Sequence, residues 1–226
     1  MSLRVAFFGL PLAACLLKRD GHELVLAVLS PIPAPGRRRL LRTSPHMPIL
    51  VATPGDRSGP KKVAFDRTVE EALARAEPDL IVSWFWTRRL EARWLARAPR
   101  GGIGAHPSLL PRHRGPNPYF AAIDAGDAET GVSVHALTPE YDTGDVLLVR
   151  RLSIGERDSW QLARALDRPS LSLLREVVGH FARGTPPRPE PQHEDDATWA
   201  PEPSGEALRV HWTWPNERVL RRIRAL

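Results

Sequence analysis

Residues 3–30, LRVAFFGLPLAACLLKRDGHELVLAVLS, read as strand, helix, strand. Residues 3–9 form an apolar run that ends at Gly9-Leu10-Pro11. Apolar residues then recur at helical spacing over 12–19, Gly21 ends the helix, and 23–30 is a second apolar run. Such a series opens an open, mostly parallel sheet, because a parallel neighbour must be reached by a crossover. The glycines do not spell Gly-x-Gly-x-x-Gly, so a dinucleotide fingerprint is absent.

The alternation continues outward from this unit. Residues 31–62 are rich in proline and basic side chains around one short apolar run, 48–52, which predicts a strand between long loops. A helix is expected over 68–76, a strand over 79–83, a helix over 91–98, a short strand at 103–105 and a helix over 117–125. Apolar strands follow at 131–137 and 146–152, joined through a turn at Tyr141-Asp-Thr-Gly-Asp145. A long helix spans 159–181 and is expected to break or kink at Pro169. From 184 to 203 the composition shifts to proline and acid, as in an extended surface segment or linker. The tail suggests a short strand at Val210-His211-Trp212 and a basic helix over 216–226. The expected fold is α/β, a Rossmann-like open twisted sheet, mostly parallel, with a short C-terminal extension. The expected boundaries are an α/β domain at 1–183, a proline-rich linker at 184–208 and a tail at 209–226.

Composition bounds the function classes. The 226 residues are 42% hydrophobic and 26% charged, ordinary for a globular chain, with 23 prolines. No apolar run approaches the roughly 18 to 20 residues of a membrane span. The opening residues MSLRVAFFGL read as a strand without a small-residue cleavage site, so a cytoplasmic protein is expected. One cysteine, Cys15, excludes an internal disulfide and offers no metal cluster, and no metal is expected. The net charge of +6 comes from arginine, which suits phosphate or carboxylate recognition. Its densest run, Gly36-Arg-Arg-Arg-Leu-Leu-Arg42, reads either as a phosphate-binding loop or as a solvated one.

The chemistry concentrates in Gly104-Ala-His-Pro-Ser-Leu-Leu-Pro-Arg-His-Arg-Gly115, Gly131-Val-Ser-Val-His135 and Tyr141-Asp-Thr-Gly-Asp145. Here the chain resembles the formyltransferase family of glycinamide ribonucleotide, methionyl-tRNA and sugar N-formyltransferases. That family's pattern is Asn-x-His, Ser-Leu-Leu-Pro, a basic Arg-Gly turn, and an Asp-Thr-Gly or Asp-Gly-Gly turn some 36 residues after the histidine. His106, Ser108 to Pro111, Arg114-Gly115 and Asp142 fall in that order and register. The resemblance implies 10-formyltetrahydrofolate as co-substrate, with catalytic roles for His106 and Asp142. It also implies cofactor contacts from Ser108, Leu109, Leu110 and Pro111, from Arg88, Arg89 and Leu90, and from Thr138, Pro139, Glu140, Tyr141 and Asp142. Arg112, Arg114 and Asn117 are candidate acceptor-binding residues. Where the family has its catalytic asparagine, this chain has Gly104.

The chemistry explains the residue types. An amine attacking a formyl carbon generates a tetrahedral oxyanion, which preorganised donors stabilise. Protons must also leave the amine and reach the departing nitrogen. Histidine titrates near working pH and suits that shuttle, and a neighbouring carboxylate favours its protonated form and orients the ring. His135, on an expected strand, either faces the site or is structural. Trp84 and Trp86 alternate with Phe85 and serve core packing or cofactor stacking. The expected acceptor is a small primary amine such as an amino sugar, since Ser83-Trp-Phe-Trp86 resembles the aromatic stretch of the nucleotide-sugar enzymes. Transfer RNA is the alternative: the basic run and the tail resemble methionyl-tRNA formyltransferases, but their C-terminal domain is expected to be truncated or absent. A folate-site binding protein impaired by Gly104 is a third reading.

Overall fold

The computed structural model describes all 226 residues, Met1–Leu226. Its seven strands form one sheet in the order β3-β2-β1-β4-β5-β6-β7. The chain divides into two compact units. The first holds residues 1–104, 136–140 and 178–186, and the second holds 105–135, 141–177 and 187–226.

The first unit carries β1 (Arg4–Gly9), α1 (Pro11–Arg19), β2 (Glu23–Leu29), α2 (Arg37–Thr43), β3 (Ile49–Val51), α3 (Gly59–Ala76), β4 (Leu80–Trp84) and α4 (Ala92–Leu95). β5 (Gly102–His106) follows them. β1 runs parallel to both β2 and β4, and β3 is parallel to β2. The continuous apolar runs read from sequence are therefore inner strands covered on both faces, as parallel sheets require. Phe8, Leu26, Val28, Leu73 and Ile81 are fully buried at the centre of this core, with Trp94 stacked on Phe8. Gly9 ends β1 with φ +128°, and a Cβ there would stand 1.8 Å from the Trp84 carbonyl oxygen. Only glycine lets the two strand ends meet so closely.

Two expectations need correction here. The basic run at 36–42 is not a loop, since it forms α2 after Gly36 turns the chain at φ +100°. Leu40 is its single buried residue, so the sequence carried no apolar periodicity. α3 begins at Gly59 rather than at residue 68: its first two turns bury no residue before Asp66, so they carry no apolar stripe, and Pro60 sits where a helix can accept proline.

The second unit holds α5 (Pro118–Ala125), the antiparallel pair β6 (Glu129–Ala136) and β7 (Val146–Ser153), most of α6 (Ser159–Ala182), and α7 (Asn216–Ala225). α6 continues through Pro169 rather than breaking there. The strand expected at 210–212 is absent: Val210 and His211 are irregular and lead into a turn closed by the Trp214 N–H on the His211 carbonyl. Its aromatic neighbours are engaged otherwise: His211 lies against Trp214, and the Arg218 guanidinium sits 4.3 Å from the Trp214 ring centre.

Arg222 ties this tail down. It is 6% exposed, forms a bidentate pair with Asp124 at 2.6 and 2.8 Å, and donates to the carbonyls of Ala207 and Arg209. Removing one partner of a buried pair leaves the other charge and the carbonyls uncompensated. Arg222→Ala is expected to lower unfolding free energy by about 3 to 5 kcal/mol in a denaturant titration. A loss under about 1 kcal/mol, the range of an exposed pair, would show that the tail is held mainly by other contacts.

Candidate active site

β5 delivers His106 at its C-terminal end, the side of an open α/β sheet where ligands are usually met. The turn after it is locked onto β6 by one hydroxyl. Ser133 Oγ donates to the Ser108 carbonyl at 2.8 Å and accepts from the Leu110 N–H at 3.0 Å, while Ser108 Oγ donates to the Arg112 carbonyl at 2.6 Å. Leu109 lies over Gly131, where a Cβ would come within 2.6 Å of its side chain and 2.3 Å of the Arg150 carbonyl oxygen. The Ser-Leu-Leu-Pro turn is thus shaped by Gly131 and Ser133, alternate residues on one face of β6.

His106 is 6% exposed. Its Nε2 lies 2.8 Å from the His113 carbonyl oxygen, which can only accept, so Nε2 carries the hydrogen. Its Nδ1 therefore faces Asp142, 3.5 Å from Oδ2. Asp142 also lies 3.6 Å from His135 Nε2 through Oδ1 and accepts the Gly115 N–H at 2.9 Å through Oδ2. One carboxylate thus stands between two buried imidazoles and an amide donor. The sequence left His135 undecided, and the structure brings it against Asp142. The proton position that can change on His106 is Nδ1, the one beside the carboxylate.

His113 and Asp142 both hold φ +57°, unusual for residues other than glycine. The turn at residues 113–115 sits between them: its first carbonyl takes His106 and its third amide takes Asp142. Residues 198–200 run beside it. The Arg114 N–H donates to the Thr198 carbonyl, the Ala200 N–H to the Arg114 carbonyl, and the His113 N–H to Thr198 Oγ1.

The other candidates are placed as follows. Gly104 is buried in β5, two residues before His106, and so alternates onto the same strand face. Asn117 caps α5, its side-chain oxygen accepting the Phe120 N–H at 3.2 Å. Arg112 is exposed and paired with Asp127 at 2.6 Å. Arg114 is buried, with its guanidinium on Gln192 and Glu194. That guanidinium holds the Glu194 carboxyl below the usual carboxylate range.

Arg88, Arg89, Leu90, Thr138, Pro139 and Glu140 belong to the first unit. Leu90 and Trp84 are buried, and Trp86 packs edge-on against Phe8 at 5.5 Å. The Arg88 guanidinium lies 5.6 and 5.7 Å from the Phe65 and Trp86 ring centres. The Trp86 indole N–H is buried without a hydrogen-bond partner. Thr138 Oγ1 donates to the Glu140 carbonyl at 3.0 Å, while Pro139 and Glu140 are exposed. Tyr141, in the second unit, is also exposed.

The profile of the family described as Formyl transferase matches residues 6–178. A methionyl-tRNA formyltransferase of Anaeromyxobacter dehalogenans is 36% identical over 227 residues, covering 98% of this chain and 72% of that protein. Among solved structures, HypX from Aquifex aeolicus in complex with tetrahydrofolic acid superimposes with a TM-score of 0.71 at 22% identity, over all of this chain and 34% of that one. An N-formyltransferase from Helicobacter canadensis, in complex with folinic acid and dTDP-3-aminofucose, gives 0.75 at 12% identity over all of this chain and 80% of its own.

Proposed function

The chain belongs to the formyl transferase family, and from that premise we propose that it moves a formyl group from 10-formyltetrahydrofolate to a primary amine. The observation that carries this reading is the pairing of buried His106 with half-buried Asp142 beside the Ser108–Pro111 turn. In the reaction the amine nitrogen bonds to the formyl carbon, the carbonyl oxygen takes up charge, and the bond from that carbon to the folate nitrogen breaks. The amine loses a proton and the folate nitrogen gains one. His106 Nδ1, with Asp142 beside it, is the station through which that proton passes. The unpartnered Trp86 N–H in the first unit supports a ligand with ring acceptors, as a pterin has. No helix is long and apolar enough to cross a membrane, and a cytoplasmic setting is part of this proposal.

The acceptor has two readings. A small amine, an amino sugar among them, is the sequence expectation. A methionyl-tRNA is favoured by 36% identity to such an enzyme over nearly the whole chain, tail included. The test is tetrahydrofolate release from 10-formyltetrahydrofolate, followed spectroscopically with amino sugars, nucleotide-linked amino sugars and methionyl-tRNA offered in turn. An amine-dependent rate supports formyl transfer. No rate with any amine, together with no binding of the folate, overturns it. Catalysis on tRNA that weakens steeply between 50 and 200 mM salt selects the second reading, because that slope reports released phosphate counterions.

A further inference from the structure

The proline-rich segment at 187–200 supplies a side chain whose every polar position is used. Gln192 Oε1 accepts from Arg114 Nε at 3.0 Å and from Arg114 Nη2 at 2.8 Å. Gln192 Nε2 donates to the carbonyl of Asp142 at 2.9 Å and to that of Gly144 at 2.6 Å. Both ends of this link reach the His106–Asp142 pair. Arg114 lies in the turn whose His113 carbonyl takes His106 Nε2 and whose Gly115 amide takes Asp142 Oδ2. Asp142 itself is held in the left-handed region at φ +57°, a conformation that persists only where surrounding contacts over-determine it.

We propose that Gln192, clamped by Arg114, is a positioning residue that sets the distance between His106 and Asp142. The inference rests on the formyl-transfer reading for its kinetic consequence but not for its geometry. A primary amide is the one uncharged group that accepts from a guanidinium on one side and donates twice on the other. A carboxylate would keep the arginine and repel the two carbonyls, and a methionine would fill the volume and make neither set of bonds. Arg114 is 6% exposed, and its bonds to Gln192 and to the exposed Glu194 leave the amide little freedom to turn. Glu190, two residues before, pairs its backbone with Val146 in both directions at 2.8 Å, which fixes the segment at the start of β7.

The test compares wild type with Gln192→Glu and Gln192→Met in two measurements, the kinetics of formyl transfer and the ring-nitrogen chemical shifts of His106 read by NMR of histidine-labelled protein. Positioning predicts that kcat falls by up to about 10²-fold while the KM for the formyl donor stays within about twofold, because a displacement near 1 Å at the reacting groups costs that much. It also predicts that the ring-nitrogen chemical shifts of His106 change as its carboxylate partner drifts away, while those of His22 in the first unit stay. Unchanged kcat and unchanged His106 ring-nitrogen shifts in folded variants overturn the proposal. If a Gln192 variant fails to fold, Arg114→Lys reads the same two quantities, since it keeps the charge and loses the fork on Gln192 Oε1. Should wild type show no formyl transfer, the NMR arm still decides the geometric claim, and the functional reading fails alone.

Discussion

His106→Ala is expected to reduce kcat for formyl transfer by about 10²- to 10⁴-fold, the contribution of a positioned acid and base. The imidazole is buried, hydrogen-bonded through Nε2 and turned to a carboxylate through Nδ1, so no other group stands ready to take its place at the same atoms. The KM for the formyl donor should change little, because the turn at 108–111 is anchored by Ser133 and not by the His106 ring. Asp142→Asn should cost less than His106→Ala, since an asparagine still offers an oxygen to the Gly115 N–H and preserves the loop. The double variant should be about as slow as His106→Ala alone, because groups that act as one unit are not additive. Steady-state rates of the four proteins at saturating donor check this. Equal rates for wild type and His106→Ala would remove the histidine from the reaction.

The features legible in sequence were those whose causes are local. Gly104 to Gly115 and Tyr141 to Asp145 carry their chemistry in consecutive residues, and the apolar runs of β1, β2 and β4 announce strands covered on both faces. The basic run at 36–42 reads as a loop because the seven-residue helix it forms, with only Leu40 buried, has no apolar stripe to detect. Val210-His211-Trp212 has strand-forming side chains, yet Trp212 is 82% exposed and the ring contacts here are local, His211 tilted against Trp214 and Arg218 over the Trp214 ring, so context outweighs propensity. Gln192 gave no signal at all. Its partners are 50 and 78 residues away in the chain, and one glutamine in a proline-rich stretch looks like any solvated side chain. Ser133 was within reach of inference: Gly131, Ser133 and His135 alternate onto one face of β6, and that face meets the catalytic turn and Asp142.

Gly104→Asn is expected to raise turnover by up to about 10²-fold, the low end of what one oxyanion donor contributes. Gly104 stands where the resemblance implies an asparagine, and three facts make the substitution informative. It lies within β5 and is not among the glycines with positive φ, so the backbone accepts an L-residue. It stands two residues before His106, and alternation along the strand sends a side chain there to the face that His106 uses. Asn117, the asparagine nearby in sequence, has its side chain anchored on the cap of α5 through its oxygen. Because Gly104 is buried, the variant pays for its gain in stability, and the unfolding midpoint must be measured beside the rate. The decisive comparison is single-turnover formyl transfer at saturating donor in wild type, Gly104→Asn and Gly104→Ala. Acceleration by asparagine but not by alanine identifies the missing piece as a hydrogen-bond donor. Equal rates in all three, with folded protein and unchanged donor binding, would mean that the oxyanion is already stabilised from elsewhere and that the glycine is no defect.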